Sequence, residues 1–154
     1  MMLKRLSWVA PLALALSVSS AAIAARQVPI VNPQPVAVSS LNATKLTARQ
    51  VRAAIIAGGA IHGWMLKNED TGKLVLKLEK GKYYVELNLP YSADGYRIEY
   101  VRSENLNYEG PGAGASGPAQ SIEGATIHSG YGRWLENLTR AINSQIAAAQ
   151  ADSQ

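Results

Sequence analysis

The sequence contains no cysteine in its 154 residues. That absence excludes acylation on cysteine, any disulfide framework and any thiolate metal site. A cysteine-free chain must be held together by its core alone, and roughly 100 structured residues can do that with little margin. No acidic residue precedes Glu69, and histidine is confined to His62 and His128. The two histidines fall on different segments, neither with a second ligand at metal-binding spacing, so no metal site and no cofactor is legible. Acidic pairs such as Glu69-Asp70 stand in turn sequence, where carboxylates are solvated rather than catalytic. The formal net charge of +4 includes Lys4 and Arg5, and the remaining basic residues are interspersed with acidic ones. Nothing in that distribution resembles the basic stripe of a nucleic-acid-binding protein.

What is present begins with an export pattern. Lys4 and Arg5 precede a run from Leu6 to Val18 that is almost wholly apolar, and Ala22-Ile23-Ala24 follows. A positive start, a short apolar stretch and an A-x-A signature are the parts of a secretory signal peptide over residues 1–24. The apolar run is roughly a dozen residues, short of the ~20 needed to span a bilayer, so no integral span is expected after cleavage near Ala24. The expected location is the periplasm.

Residues 25–46 carry Pro29, Pro33 and Pro35. Proline lacks a donor and fixes φ, so this stretch reads as an extended, proline-rich leader, most simply a loose linker. A single α+β domain is expected over 47–149. Thr47-Ala48-Arg49-Gln50 is a capping box, with Leu46 and Val51 at the hydrophobic-staple positions, and it predicts a helix to about Ala60. Four strand-like runs follow, at Trp64 to Glu69, Leu74 to Lys80, Lys82 to Leu89 and Tyr96 to Ser103. Their short connections imply hairpins, hence a four-stranded antiparallel meander with one packed and one wet face. Residues 109–125 read as a loop rich in glycine. Tyr131, Trp134, Leu135, Leu138, Ala141, Ile142 and Ile146 then make an apolar stripe on a second helix from about Gly130 to Ala149. The order is α-β-β-β-β-α, with both helices packed on one face of the sheet, and residues 150–154 form a fraying tail.

Gly112-Ala-Gly114-Ala-Ser-Gly117 matches G-x-G-x-x-G, but a dinucleotide loop must open a helix inside a βαβ unit, and here Pro118 and more loop follow. The densest polar-aromatic cluster is Arg102, Ser103, Asn105 and Tyr108 at the end of the last strand, with His128, Tyr131 and Trp134 beyond the glycine loop. These seven residues are the candidate binding rim. Asn and Ser there can equally satisfy backbone groups at the strand-to-helix junction, and Tyr and Trp can bury their rings with the polar tips paired.

Two compact segments carry a resemblance. Ser103-x-Asn105-Leu106-x-Tyr108 and Ile127-His128-x-x-Tyr131-x-x-Trp134, together with Gly63-Trp64, Tyr96, Tyr100 and Leu138, resemble a group of small bacterial exported, lipoprotein-like envelope proteins of uncharacterised function. The similarity covers roughly Thr47 to Ile146. It departs at the missing lipoprotein cysteine and at the glycine loop, which looks like an insertion. The resemblance implies fold and compartment, and brings no activity and no catalytic residues. The expected function is therefore a non-enzymatic binding or interaction module of the cell envelope, whose partner is an envelope protein or a small ligand. The alternatives are a small-ligand carrier with a pocket between helices and sheet and, more remotely, an enzyme.

Overall fold

The computed structural model describes residues 26–38, 45–113 and 121–153. The signal segment and the middle of the glycine loop, including Gly114 and Gly117, lie outside these residues. Two short strands come first, β1 (Gln27–Pro29) and β2 (Val36–Ala37), followed by helix α1 (Ala48–Ile61). Then come β3 (Trp64–Asp70), β4 (Lys73–Lys80), β5 (Tyr83–Pro90), β6 (Gly95–Tyr96), β7 (Glu99–Glu104), β8 (Thr126–His128) and helix α2 (Gly130–Ala151). The fold is α+β, and its main sheet is antiparallel in the order β3-β4-β5-β7.

α1 starts where its sequence demands. The Thr47 hydroxyl accepts from the Gln50 amide at 3.3 Å while the Gln50 side chain accepts from the Thr47 amide at 2.9 Å. Both orphan donors of the first turn are thereby used. In the sheet, Leu74, Leu76 and Leu78 pair with Leu89, Leu87 and Val85, and all six are buried. Both helices contact the main sheet. Gly59 of α1 approaches Leu76 and Trp64, and Tyr131 of α2 meets Tyr100 of β7 edge-on. The two helices also cross closely: an added methyl at Gly58 would stand 2.6 Å from the backbone N and Cα of Ile142. Only glycine permits that approach.

The stretch ahead of α1 differs from a loose leader. β1 pairs antiparallel with β8, and β2 with β6. The Ile30 amide donates to the Ala125 carbonyl and the Val38 amide to the Asp94 carbonyl, both at 2.9 Å, and both side chains are buried. The prolines are compatible with this because the arm needs few ladder bonds of its own. Its strands are two or three residues long, and Pro29 stands at the end of β1, where a missing donor costs least.

Two further expectations are corrected, and a third, the glycine loop, gains a closed base. The run at 96–103 is not one strand: Gly95–Tyr96 pairs with the arm, Glu99–Glu104 pairs with β5, and Arg97-Ile98 makes the break. The simple α-β-β-β-β-α order is accordingly extended by four short strands. The glycine loop is anchored at its ends, where Glu109 and Thr126 exchange two backbone hydrogen bonds and Ala125 is buried. The tail does not fray at residue 150. Gln150 is fully buried, its Nε2 donates to the Val38 carbonyl at 3.2 Å, and α2 continues through Ala151.

These packing distances decide the sign of two glycine substitutions. Gly58→Ala gains roughly 1 kcal/mol of helix propensity but collides with α2 backbone that cannot step aside, for an expected net loss of about 2 kcal/mol. Gly132→Ala meets open space in the first turns of α2 and is expected to stabilise by about 0.5 kcal/mol. Urea midpoints of the two variants check the pair.

Candidate functional site

The seven rim residues do not form one site. They divide among the open face of the sheet, a buried tyrosine stack and one end of the domain.

Arg102 lies on the open face. The register of β5 against β7 shifts between the pairs Glu86–Arg102 and Leu87–Tyr100, so Val101 is the extra residue. That one-residue slip turns Arg102 away from the helices and sets it beside Glu86. Glu86 is only 8% exposed although it alternates with Val85 and Leu87, the strand neighbours that enter the core. Its carboxylate accepts from Lys67 Nζ at 2.7 Å, Tyr84 OH at 2.9 Å and Arg102 Nε at 3.1 Å. Arg102 also lies 4.5 Å over the Tyr84 ring and donates to Glu104 at 2.7 Å. Burial opposes ionisation of Glu86, but the hydrogen bonds from Lys67, Tyr84 and Arg102 outweigh it and hold its pKa below the usual carboxylate value. All three bonds go to Glu86 Oε2, and they tie Lys67, Tyr84 and Arg102 into one cluster.

Ser103, Tyr108 and Tyr131 meet through Tyr100. Tyr108 stacks on Tyr100 with ring centres 5.2 Å apart, Tyr131 stands edge-on to it at 5.8 Å, and the Ser103 hydroxyl is 2.9 Å from the Tyr100 hydroxyl. Burial pushes the Tyr100 hydroxyl up to about 12 and raises that of Tyr131 further. Neither ionises near neutral pH, so the stack is packing. Asn105 is equally structural. It holds a left-handed backbone at φ 60° and its Nδ2 donates to the Lys82 carbonyl at 2.6 Å, pinning the β4–β5 turn.

His128 and Trp134 meet at the third place, through a residue outside the expected rim. Tyr83 has its ring 6.2 Å from that of His128 and 5.9 Å from that of Trp134, the latter edge-on. His128 Nδ1 accepts from the Gly130 amide at 3.0 Å, so Nε2 carries the proton in the neutral ring. Lys80 Nζ lies 5.8 Å over the Trp134 ring and Lys82 Nζ 5.5 Å over Tyr83. Beside Trp134 opens a hollow of about 60 Å³, lined by His62, Trp64, Leu78, Lys80 and Asn137 as well. The end of β4, the start of β5, the end of α1 and the first turns of α2 converge here. No carboxylate lines the hollow, and among the described residues neither lysine has an acidic partner.

Sequence reasoning passed over Lys80, Tyr83 and Asn137. Lys80 and Tyr83 stand at the ends of strand-like runs, and Asn137 lies within the second helix, none of them with a signal that marks a site. Among the described residues no group of three or more acidic or histidine side chains converges to hold a metal ion, and no helix is long and apolar enough to cross a membrane. Set against known proteins, the chain matches no family model, no curated protein and no solved structure.

The Glu86 cluster has a pH signature. A carboxylate whose folded pKa is depressed contributes stability that is present above its unfolded pKa and lost as the pH falls through the folded one. Wild-type stability should therefore fall as the pH drops below the usual carboxylate range. Glu86→Gln should be weaker than wild type by about 1–3 kcal/mol at pH 7 and show a shallower acid limb. Denaturant titrations between pH 7 and pH 3 check both, and parallel limbs would contradict the assignment.

Proposed function

We propose that this protein is an exported, non-enzymatic binding module of the bacterial cell envelope, and that it binds through the end of the domain around Trp134. The observation that carries the reading is the state of the charges and aromatics there. On the open face of the sheet, Lys67, Lys77 and Arg102 are each paired with a carboxylate. At the Trp134 end, Lys80 and Lys82 rest on aromatic rings without one. Half-buried aromatic rings flanked by available polar groups are the composition of binding hot spots. The export half of the reading is supported by Lys4 and Arg5, the apolar run from Leu6 and Ala22-Ile23-Ala24. The resemblance of Ser103 to Tyr108 and of Ile127 to Trp134 to envelope proteins points the same way.

The carrier alternative calls for a pocket between helices and sheet, and the larger hollows, of about 580 and 460 Å³, lie instead along the arm, against α2 and against the β5–β6 connection. Pockets for whole drug-sized ligands run to about 300–1,000 Å³, whereas the hollow beside Trp134 holds about 60 Å³. It takes a substituent, not an enclosed molecule. With no cysteine in the sequence, no acyl chain on cysteine attaches these residues to the envelope.

The test is site-specific photo-crosslinking in living cells. A crosslinker in place of Lys82 should capture a partner that one in place of Lys45 does not, and Trp134→Ala should abolish the capture. Arg102→Ala should lower the melting temperature and leave capture intact, because its work is on the other face. Intact mass of the captured form should place its first residue at Ala25. Capture that depends on Arg102 and ignores Trp134, or a form that retains Met1, would overturn the reading.

A further inference from the structure

The hollow beside Trp134 has a chemistry more specific than a binding surface. Its floor is apolar: Trp64 and Leu78 are both buried. Its wall carries Asn137, a half-buried amide with two donors and an acceptor and no side-chain hydrogen bond among the described residues. Its mouth carries His62, which is exposed, and Lys80. Outside the mouth, Tyr83 and Trp134 present ring surface, and Lys82 adds a second cation. At about 60 Å³ the hollow admits a substituent of a few heavy atoms.

A small substituent that lays a methyl against Trp64 and Leu78 and offers both a carbonyl and an N–H to a primary amide is an acetamido group. Ring surface beside it suits the C–H face of a sugar, and His62 can exchange hydrogen bonds with a hydroxyl. Two lysines without carboxylate partners call for an anion next to that ring. We propose that this end of the domain binds an N-acetylated sugar bearing a carboxylate. The acetamido methyl enters the hollow onto Trp64 and Leu78, and the acetamido dipoles pair with Asn137. The carboxylate meets Lys80 and Lys82. This rests on the reading of the same end as the protein's binding site and names what it takes.

Titration of the isotope-labelled full chain with three sugars, followed by amide and indole resonances, tests the proposal. N-acetylmuramic acid carries both groups, N-acetylglucosamine lacks the carboxylate, and glucuronic acid lacks the acetamido group. N-acetylmuramic acid should shift the resonances of Lys80, Lys82, Asn137 and the Trp134 indole. The other two should each bind about tenfold more weakly, the scale of one lost charge-assisted hydrogen bond. The double variant Lys80→Gln/Lys82→Gln should bring N-acetylmuramic acid down to the affinity of N-acetylglucosamine at an unchanged melting temperature. Asn137→Asp should weaken both acetamido sugars and leave glucuronic acid no better than before. Equal shifts from all three sugars, or shifts confined to other regions, would overturn the proposal. So would silence up to about 10 mM, where even weak sugar binding registers. Pelleting with anionic phospholipid vesicles in place of any sugar response would assign the same cations to a membrane surface instead. Silence toward sugars with crosslinking at position 82 retained would remove the sugar and leave the binding-module reading standing.

Discussion

Everything at the Trp134 end depends on how α2 is held, and α2 is held at both ends by the arm that precedes α1. At its start the Ser129 amide donates to the Arg26 carbonyl at 2.9 Å, and β8, which leads into it, pairs with β1. At its end the buried Gln150 side chain donates to the Val38 carbonyl. Between these ties Tyr96 donates to Asn143 at 2.7 Å, from a strand that itself pairs with the arm. Ile30 and Val38 close the core, and burying two such side chains contributes up to about 3–6 kcal/mol, an upper figure because denatured chains are not fully extended. That is a large share of the stability of a small domain. The arm is therefore part of the fold, and the position of Trp134 and Asn137 against Tyr83 and Lys80 follows from it.

The sheet separates two uses of charge. On the open face each cation has an anion, and Glu86 gathers Lys67, Tyr84 and Arg102 so tightly that its carboxylate becomes buried. Removing Glu86 leaves Lys67 without its carboxylate and Arg102 with Glu104 alone, so the face is tied together through that one residue. At the Trp134 end cations stand on rings, where the aromatic quadrupole holds them without neutralising them. The first arrangement pairs its cations internally and the second leaves them open to outside anions. A sheet edge adds a third surface. β3 exposes Met65 and Leu66, but a bulge around Lys67 interrupts its ladder, which is how natural edges resist strand addition.

Much of the fold was legible because its signals are local. The Thr47–Gln50 box, the alternation of Leu74 to Leu78 and of Val85 to Leu89, and the stripe from Tyr131 to Ile146 each name an element and its buried side. The arm was not legible, since Pro29, Pro33 and Pro35 favour extended backbone whether or not a partner strand exists. Its partners, Gly95–Tyr96 and Thr126–His128, are too short to show a period. The site was half legible. His128 and Trp134 stood out as polar-aromatic residues near the helix start, and they lie at the open end. Arg102 was misassigned to the same cluster because strict alternation from Tyr100 places it toward the helices, and a bulge at Val101 has no signature in one sequence. Lys80, Tyr83, His62 and Asn137 come from four separate elements, so only the folded chain brings them together.

The account stands on the arm being a permanent part of the domain, and native-state hydrogen exchange measures that directly. The Ile30 and Val38 amides both donate to backbone carbonyls across the arm contacts. They should exchange through the same global opening as amides of β5 and α2, with protection within about tenfold of the slowest core amides. Exchange of Ile30 and Val38 at nearly the unprotected rate, while Leu87 and Ile142 remain protected, would show an arm that detaches and would contradict the account.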